Sequence, residues 1–127
     1  MNIDAIADFV IKYSPKKEGV SQYIEENKEK IKEVIVQHIN YKTCIILNDL
    51  DGVAGVCRWN ISDSGTVATI LDLIIAPKYR NKRYINRLLI KGLRMYPNVK
   101  FLEWEREIKY PNRERQYFPV DKILKRS

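Results

Sequence analysis

A nearly unbroken apolar run from Ile70 to Ala76 is the feature that most restricts the fold of this chain. Only Asp72 interrupts the run, and Pro77, which cannot donate a backbone hydrogen bond, ends it. A surface helix keeps one polar face, whereas a strand inside a sheet is often apolar on both faces. The run therefore predicts a central strand over residues 66–76 that is buried on both faces.

Two further strands precede this one, and a turn signal follows each of them. Residues 43–47 are a β-branched apolar run, and Asp51-Gly52 is a dipeptide typical of a tight hairpin. Residues 53–61 form the returning strand, and residues 62–65 (Ser-Asp-Ser-Gly) predict a second turn. Together these segments predict an antiparallel meander of three strands.

Apolar residues at helical spacing mark three other segments. Residues 2–13 and 20–39 predict two helices before the meander, with a break at Ser14-Pro15. Residues 81–96 predict a helix after the central strand. The expected apolar stripe of the second helix, with Asn27 as one polar interruption, is Val20, Tyr23, Ile24, Asn27, Ile31, Val34, Ile35 and His38. A basic stripe lies along the third helix: Arg83, Arg87, Lys91 and Arg94.

Two more strands are expected near the end of the chain, at residues 99–104 and 115–120. Because a helix connects the third and fourth strands, those two should be parallel, with a right-handed crossover. The prediction is one domain over residues 1–127 with an α+β fold of the three-layer α/β type. Its central sheet is mixed and mainly antiparallel, with N-terminal helices and one crossover helix between two parallel strands. Residues 115–120 are the candidate exposed edge for a homodimer.

Composition excludes several classes of protein. No segment approaches the roughly 18 apolar residues of a membrane span, and residues 1–10 lack the basic start of a signal peptide. A cytoplasmic location with no membrane partner is therefore expected. Cys44 and Cys57 are too few for a disulfide framework or a zinc site and predict reduced, buried thiols. The one histidine, His38, lies on a helical pattern, so we expect a packed or half-exposed side chain and no metal.

Charge is distributed unevenly along the sequence. Residues 1–77 contain 8 Lys and Arg against 11 Asp and Glu, whereas residues 78–127 contain 15 against 5. A strongly basic half suggests a ligand that bears phosphate, a nucleic acid or an acidic protein surface. Solubility alone is the alternative explanation.

The segment from Leu71 to Leu89 resembles the acetyl-CoA-binding motif of the GNAT superfamily of N-acetyltransferases. It reads Leu-Asp-Leu-Ile-Ile-Ala-Pro-Lys-Tyr-Arg-Asn-Lys-Arg-Tyr-Ile-Asn-Arg-Leu-Leu. In the family, a strand ending Asp-Leu-x-Val-x-Pro-x-Tyr-Arg leads through a glycine-rich loop into a helix with a Leu-Leu pair. The order of elements extends the resemblance over residues 1–105. The resemblance implies a GNAT-like fold and direct transfer of an acetyl group from acetyl-CoA to an amine.

The junction between this strand and its helix is physically suited to an anion. The first amides of a helix lack partners within the helix and lie at the positive end of its dipole. The resemblance implies that the strand edge at Leu73, Ile74 and Ile75 binds the pantetheine arm of acetyl-CoA. It also implies that the following loop binds the diphosphate; that loop comprises Arg80, Asn81, Lys82, Arg83, Tyr84 and Ile85.

The loop departs from the family pattern Arg/Gln-x-x-Gly-x-Gly/Ala. Arg80 matches the first position, but Arg83 and Ile85 stand where the family has small residues, and Asn81 stands where glycine is frequent. Glycine allows the backbone to approach a phosphate closely. The loop keeps the family's length, loses its glycines and gains positive charge.

Three side chains are candidates for proton transfer. An amine must lose a proton before it attacks a thioester, so a carboxylate or an ordered water must accept that proton. Asp72 on the third strand and Glu103 on the fourth are the candidate carboxylates, with ion pairing to nearby Arg and Lys as the alternative role. By resemblance, Tyr117 is the nearest match to the family's general-acid tyrosine. Its alternative role is packing on the sheet.

Three functions remain open at this point. The first is a GNAT-type N-acetyltransferase that acts on a small-molecule or protein amine. The second is a non-catalytic GNAT-like binding or assembly module, which the missing loop glycines and the short C-terminal part favour. The third is contact with nucleic acid through the basic C-terminal half, where aromatic residues interleave with Arg and Lys. No known nucleic-acid-binding motif accompanies that charge.

Overall fold

The helices and strands follow one another in the predicted order, and a short C-terminal helix that the sequence pattern does not predict follows the last strand. The computed structural model describes residues 2–14, 23–106 and 114–124. The elements are α1 (Ile3–Tyr13), α2 (Lys28–Asn40), β1 (Cys44–Asp49), β2 (Gly52–Ile61), β3 (Val67–Ile75), α3 (Lys82–Leu93), β4 (Phe101–Arg106), β5 (Glu114–Pro119) and α4 (Asp121–Leu124). Short 3₁₀ turns at Glu25–Asn27 and Pro77–Tyr79 precede α2 and α3.

Within the described residues, five strands form one mixed sheet in the order β1-β2-β3-β4-β5. β1, β2 and β3 form the predicted antiparallel meander, β3 and β4 are parallel across α3, and β4 and β5 are antiparallel. The predicted fold class is confirmed. β5 lies at the edge of the sheet, where a homodimer contact stays a prediction.

The two faces of the sheet carry different helices. Trp59 on β2 lies so close to Gly92 of α3 that a Cβ on that glycine would be 2.6 Å from the indole Cζ2. The neighbouring Arg58 reaches His38 of α2, with 3.4 Å between Nη1 and Nε2. Because successive side chains of a strand point to opposite faces, α3 covers one face and α2, packed with α1, covers the other.

The boundaries of α1 follow from its flanking residues. The Asn2 side chain accepts a hydrogen bond from the Ala5 amide at 3.1 Å and caps the first turn. Ser14 ends the helix in an extended conformation with ψ 143°. Extended backbone is what a residue before proline favours, and Pro15 follows.

The second helix begins later than predicted. The sequence pattern places a helix over residues 20–39, but α2 begins at Lys28, and residues 15–22 lie outside the described residues. Tyr23 precedes any helical turn, and its hydroxyl bonds with Asp72 and Arg58 on the sheet. This tertiary contact outweighs the local helical pattern.

The buried stripe of α2 is also narrower than predicted. Ile31 and Ile35 are buried, whereas Val34 is 37% exposed. α2 packs on both α1 and β1, so only the residues that face this corner lose contact with water. Spacing alone does not reveal how wide a face the neighbouring elements cover.

β3 occupies the centre of the sheet, as predicted, but it is not buried on both faces along its whole length. Ile74 and Ile75 are buried, whereas Leu71 is 41% exposed. β3 pairs with β4 only at residues 67–69, opposite residues 101–103, and the two strands then diverge. The divergence leaves a cleft beside the middle of β3.

Both cysteines are free, as predicted, but only one of them is fully buried. Both thiols are free; Cys57 is fully buried and Cys44 is partly buried. Burial raises the pKa of Cys44 to about 11, so this thiol is protonated at neutral pH. The helices in the described ranges include none with the length and hydrophobicity that crossing a bilayer needs. The same ranges contain no group of three or more His, Cys, Asp or Glu able to hold a metal ion.

Candidate functional site

A cleft of about 420 Å³ opens between β3 and β4 on the face that carries α3. Most of its lining is apolar and comes from both strands, β5, α3 and α4: Ile70, Leu71, Leu73, Leu89, Leu102, Trp104, Phe118 and Ile123. Lys82, Asn86 and Lys122 contribute the polar part of the lining. The cleft can therefore take a ligand that is apolar over most of its length and has polar ends.

An irregularity in β3 shapes the wall of this cleft. Arg58 on β2 pairs with Asp72, but the next residue, Trp59, pairs with Ile70, so Leu71 is an extra residue on β3. A bulge of this kind bends a strand and redirects side chains. Here both Ile70 and Leu71 line the cleft.

The free edge of β3 lies along the cleft. Leu73, one of the three predicted strand-edge residues, lines it directly. The side chains of Ile74 and Ile75 are buried. Within the described part of the chain, residues 70–75 have no partner on β4. The Ile75 carbonyl accepts from Arg80 Nε, and the other backbone groups on that side are available to a ligand.

α3 begins beside the cleft with a capped first turn. The Asn81 side chain accepts from the Tyr84 amide, and the Asn81 carbonyl accepts from the Ile85 amide, each at 3.2 Å. Among the residues that the structure describes, the amides of Lys82 and Arg83 have no hydrogen-bond acceptor. Of the predicted loop residues, Lys82 and Arg83 therefore keep amides that can bind an anion.

The first turn of α3 carries positive charge at the positive end of its dipole. It contains Lys82 and Arg83 and no acidic residue. A cation at this end opposes the helix dipole and costs about 0.3–1 kcal/mol. An anion bound here would offset that repulsion, so the charge pattern favours a negatively charged ligand.

Three other predicted loop residues make contacts that support the structure. The Arg80 Nε donates to the Ile75 carbonyl at 2.9 Å and holds the loop against the end of β3. The Tyr84 ring packs on Tyr79, with 4.7 Å between ring centroids. Ile85 packs against the hydrophobic core and is not part of the cleft lining. The bulk of Ile85 therefore leaves the cleft open.

The predicted carboxylate Asp72 lies on the opposite face of the sheet, within a polar cluster. Arg58 donates to Asp72 Oδ2 from Nε at 2.8 Å and from Nη2 at 2.7 Å. The Tyr23 hydroxyl donates to the same carboxylate and accepts from Arg58 Nη2 at 3.0 Å. Burial and the Asp72 charge raise the pKa of Tyr23. The tyrosine therefore stays protonated as a donor to Asp72.

The cluster continues to α2 through His38. Its Nδ1 lies 2.7 Å from Thr43 Oγ1, and its Nε2 lies 3.4 Å from Arg58 Nη1. Burial and the Arg58 charge lower the pKa of His38, so the imidazole is neutral at pH 7. His38 is half-buried on a helix, as predicted, and its neutral ring is part of the hydrogen-bond network.

Glu103 is the second predicted carboxylate, and it is only 6% exposed. It accepts a hydrogen bond from Thr69 Oγ1 at 3.1 Å, so it lies on the same face as Asp72. In the backbone register, Glu103 pairs with Tyr117 of β5. The three predicted proton-transfer residues thus occupy three adjacent strands.

Sequence reasoning missed two members of this face, Tyr23 and Arg58. Tyr23 is 49 residues from Asp72 along the chain, and Arg58 is 14 residues from it. The sequence offers no local motif that links them. Only the register of the hairpin, together with the bulge at Leu71, places Arg58 opposite Asp72.

Known proteins match this chain in three-dimensional structure but not in sequence. No protein-family model matches the sequence, and no curated protein matches it either. The F149G mutant of the spermidine N-acetyltransferase SpeG from Vibrio cholerae has a TM-score of 0.63 at 16% identity, over 97% of this chain and 93% of that chain.

Two further solved structures contain coenzyme A or an acyl derivative of it. The GphF GNAT-like decarboxylase in complex with isobutyryl-CoA has a TM-score of 0.56 at 17% identity, over 86% of this chain and 64% of that chain. N-acetylglutamate synthase from Neisseria gonorrhoeae, complexed with coenzyme A and N-acetyl-glutamate, has a TM-score of 0.52 at 16% identity. The match covers 81% of this chain and 22% of that chain. The chain has the GNAT fold, in a divergent form.

Proposed function

We propose that the protein is a GNAT-type N-acetyltransferase that takes acetyl-CoA as donor and transfers the acetyl group directly to an amine. The observation that carries this proposal is the cleft where β3 and β4 diverge. It has a free strand edge along one side and a cationic helix start with two unbonded amides beside it. Solved structures of the same fold with bound coenzyme A and isobutyryl-CoA support the choice of ligand.

The residues around the cleft suit the separate parts of acetyl-CoA. A diphosphate needs N–H donors and positive charge, which Lys82 and Arg83 supply at the start of α3. The pantetheine arm combines amide groups with an aliphatic chain. The β3 edge offers backbone donors and acceptors to the amides, and Leu73 and Leu102 offer apolar contact to the chain. When bound, acetyl-CoA supplies the thioester that an amine attacks.

The two predicted carboxylates, Asp72 and Glu103, lie on the opposite face of the sheet, where the proposal places the amine. Asp72 is engaged by Arg58 and Tyr23, so its role in the proposal is to position the neighbouring side chains. Glu103 is then the group that accepts the proton from the attacking amine. Tyr117, whose backbone pairs with Glu103, returns a proton to the departing thiolate.

Binding is tested first by isothermal titration with coenzyme A and acetyl-CoA. A ligand at about 100 times its dissociation constant adds about 2.7 kcal/mol to stability, which a thermal shift detects. Lys82→Gln should weaken binding about tenfold, because it removes one charge-assisted hydrogen bond. The matched control is Lys78→Gln, at an exposed lysine that pairs with Asp51 away from the cleft. Equal effects of the two substitutions would contradict the proposed site.

Fluorescence gives an independent readout of the same cleft. The chain has two tryptophans; Trp104 lines the cleft, whereas Trp59 is fully buried against α3. Coenzyme A should change the emission of the protein, and Trp104→Phe should abolish that change while the Trp59 signal remains. An unchanged response in Trp104→Phe would place the ligand elsewhere.

Catalysis is tested by release of free coenzyme A thiol in the presence of acetyl-CoA and a panel of amines. The panel includes a polyamine, amino acids and a lysine-containing peptide. Thiol release that depends on one amine class supports the transferase and names its acceptor. Tight coenzyme A binding without transfer to any amine would favour the non-catalytic module, and no binding at millimolar coenzyme A would overturn the proposal.

A further inference from the structure

A second cavity, of about 790 Å³, lies along α3 and includes Leu47 of the edge strand β1. Five cationic side chains line it: Lys82, Arg83, Arg87, Lys91 and Arg94. Asn86, Leu47 and Ile90 complete the lining. We call this surface the α3 groove. The proposed acetyl-CoA site uses only the first two of its cations.

The positive charge of the α3 groove is not neutralised within the described part of the chain. None of its five cations forms an ion pair there. Lys91 donates to the Ile46 carbonyl on β1, and Arg87 lies over the Tyr84 ring, 5.3 Å from its centroid. The nearby Asp49 interacts with the Arg87 charge, but its carboxylate also accepts from the Leu50 amide.

The length of the α3 groove indicates a ligand with several negative charges. At a rise of about 1.5 Å per residue, the cations from Arg83 to Arg94 extend over about 16 Å of helix axis. A diphosphate bound at the first turn of α3 cannot also reach Arg94. A ligand that contacts the whole row must carry anionic groups spaced along a chain.

We propose that the α3 groove binds the phosphate backbone of a nucleic acid strand. A nucleic acid carries evenly spaced negative charges, which match a row of exposed Lys and Arg on successive turns of one helix. The cations line an open, concave surface along a single helix, and this narrow row suits one strand better than a membrane. The last 50 residues, to which α3 belongs, carry 15 Lys and Arg against 5 Asp and Glu, so the wider surroundings also attract a polyanion. Contacts to phosphate alone predict binding with little sequence preference.

The test is fluorescence anisotropy with labelled 20-nucleotide oligo(dT) and oligo(U) across a salt series. Each phosphate contact to a single strand makes the slope of log K against log salt more negative by about 0.7, so five contacts along the full row predict a slope of about −3.5. The triple variant Arg87→Gln/Lys91→Gln/Arg94→Gln should lower the affinity about tenfold or more and reduce the slope by about 2.

The matched control is Lys12→Gln/Lys30→Gln/Lys100→Gln, which also removes three positive charges, but from exposed positions outside the groove. It should change the affinity by less than about twofold. Lys91 also donates to the Ile46 carbonyl on β1, so its replacement could destabilise the fold. If the triple variant unfolds, the double variant Arg87→Gln/Arg94→Gln replaces it in the test. Saturating coenzyme A should leave oligonucleotide bound, since most of the row lies beyond the first turn.

Several results would overturn the proposal. One is an equal loss in the groove and control variants, which would indicate non-specific attraction. A second is complete displacement of the oligonucleotide by coenzyme A, which would indicate one shared anion site. A third is undetectable oligonucleotide binding at low salt. If phosphatidylserine vesicles or an acidic peptide then bind through the same cations, the groove has a different anionic partner. The first and third results leave the acetyl-CoA proposal untouched, because that is tested on the cleft variants.

Discussion

Arg58 on β2 and Asp72 on β3 face each other across the hairpin and form a two-point ion pair, with Nε–Oδ2 2.8 Å and Nη2–Oδ2 2.7 Å. Their side chains are only 20% and 16% exposed. Tyr23 bonds to both, so the pair attaches the segment before α2 to the centre of the sheet. It thereby shapes the face on which we propose that the amine binds.

Removal of one partner of this pair should destabilise the protein. Asp72→Ala leaves the Arg58 guanidinium partly buried without its carboxylate, which costs about 3 kcal/mol. Urea unfolding at pH 7 measures the change. The double variant Arg58→Met/Asp72→Leu should recover most of the loss, because it leaves no uncompensated charge. A double variant as unstable as Asp72→Ala would show that packing, not charge, dominates at this position.

Glu103→Gln tests the assignment of the proton acceptor. The amide keeps an oxygen that can accept from Thr69 Oγ1, so the fold and coenzyme A binding should be retained. Turnover should fall about 10²–10⁴-fold, the usual contribution of a general base. Tyr117→Phe should also lower turnover with coenzyme A binding unchanged. Near-normal turnover in Glu103→Gln, with complete loss in Asp72→Asn, would reverse the roles of the two carboxylates.

His38 is the only histidine in the sequence, so its titration can be followed without assignment ambiguity. Burial, and then the Arg58 charge, lower its pKa below the ordinary value of about 6.5. The folded state therefore binds fewer protons than the unfolded state just below that pH. The contribution of His38 to stability is complete above about pH 6.5 and is lost as the pH falls through the lowered pKa.

Proton NMR of the imidazole resonances measures this pKa directly. Arg58→Met should raise it relative to the wild-type protein, because one of the two lowering causes is removed. Asp72→Asn should lower it, since the Asp72 charge favours the protonated ring. A wild-type pKa at or above 6.5 would contradict the burial of His38 in this network.

Gly92 should not tolerate even a methyl group. A Cβ there would lie 2.6 Å from Trp59 Cζ2 and 2.9 Å from Ile45 Cγ1. Trp59 is fully buried and cannot move aside, so overpacking of about 1–3 kcal/mol outweighs the gain of about 1 kcal/mol in helix propensity. Gly92→Ala should therefore lower the melting temperature.

Gly55→Ala is the matched comparison for this substitution. Its closest neighbour would be the Cδ1 of Ile75, at 2.8 Å, which is the flexible end of a side chain. The loss of stability should be smaller than for Gly92→Ala. A larger loss at Gly55 would mean that the contact between α3 and Trp59 is loosely packed.

Much of the fold follows from local patterns. The hairpin that Asp51-Gly52 predicts forms, although its two turn residues are Leu50 and Asp51 and Gly52 pairs with Asp49. The apolar run that becomes β3 and the spacing within α3 also correspond to the elements that form. These features depend on near neighbours in the chain, so periodicity and turn chemistry are sufficient to predict them. The predicted start of α2 was wrong. Tyr23 does not join the helix, because its hydroxyl bonds to Asp72 and Arg58, which are distant in the chain.

Less of the candidate site than of the fold could be predicted from the sequence. Asp72 and Leu73 are adjacent in the chain, yet Leu73 lines the cleft and Asp72 belongs to the polar cluster on the opposite face. The α3 start resembles an anion-binding loop, but the sequence does not reveal that Asn81 already occupies the amides of Tyr84 and Ile85.

The sequence by itself determined the five strands, the helices α1 and α3, the order in which they follow, and the basic character of the C-terminal half. Only the tertiary structure decided that β3 and β4 part beyond Thr69, and that Tyr23, Arg58 and Asp72 meet. The physical reason is that local patterns reflect interactions between near neighbours. A cleft and a polar cluster, by contrast, arise from the packing of residues that are distant in the chain.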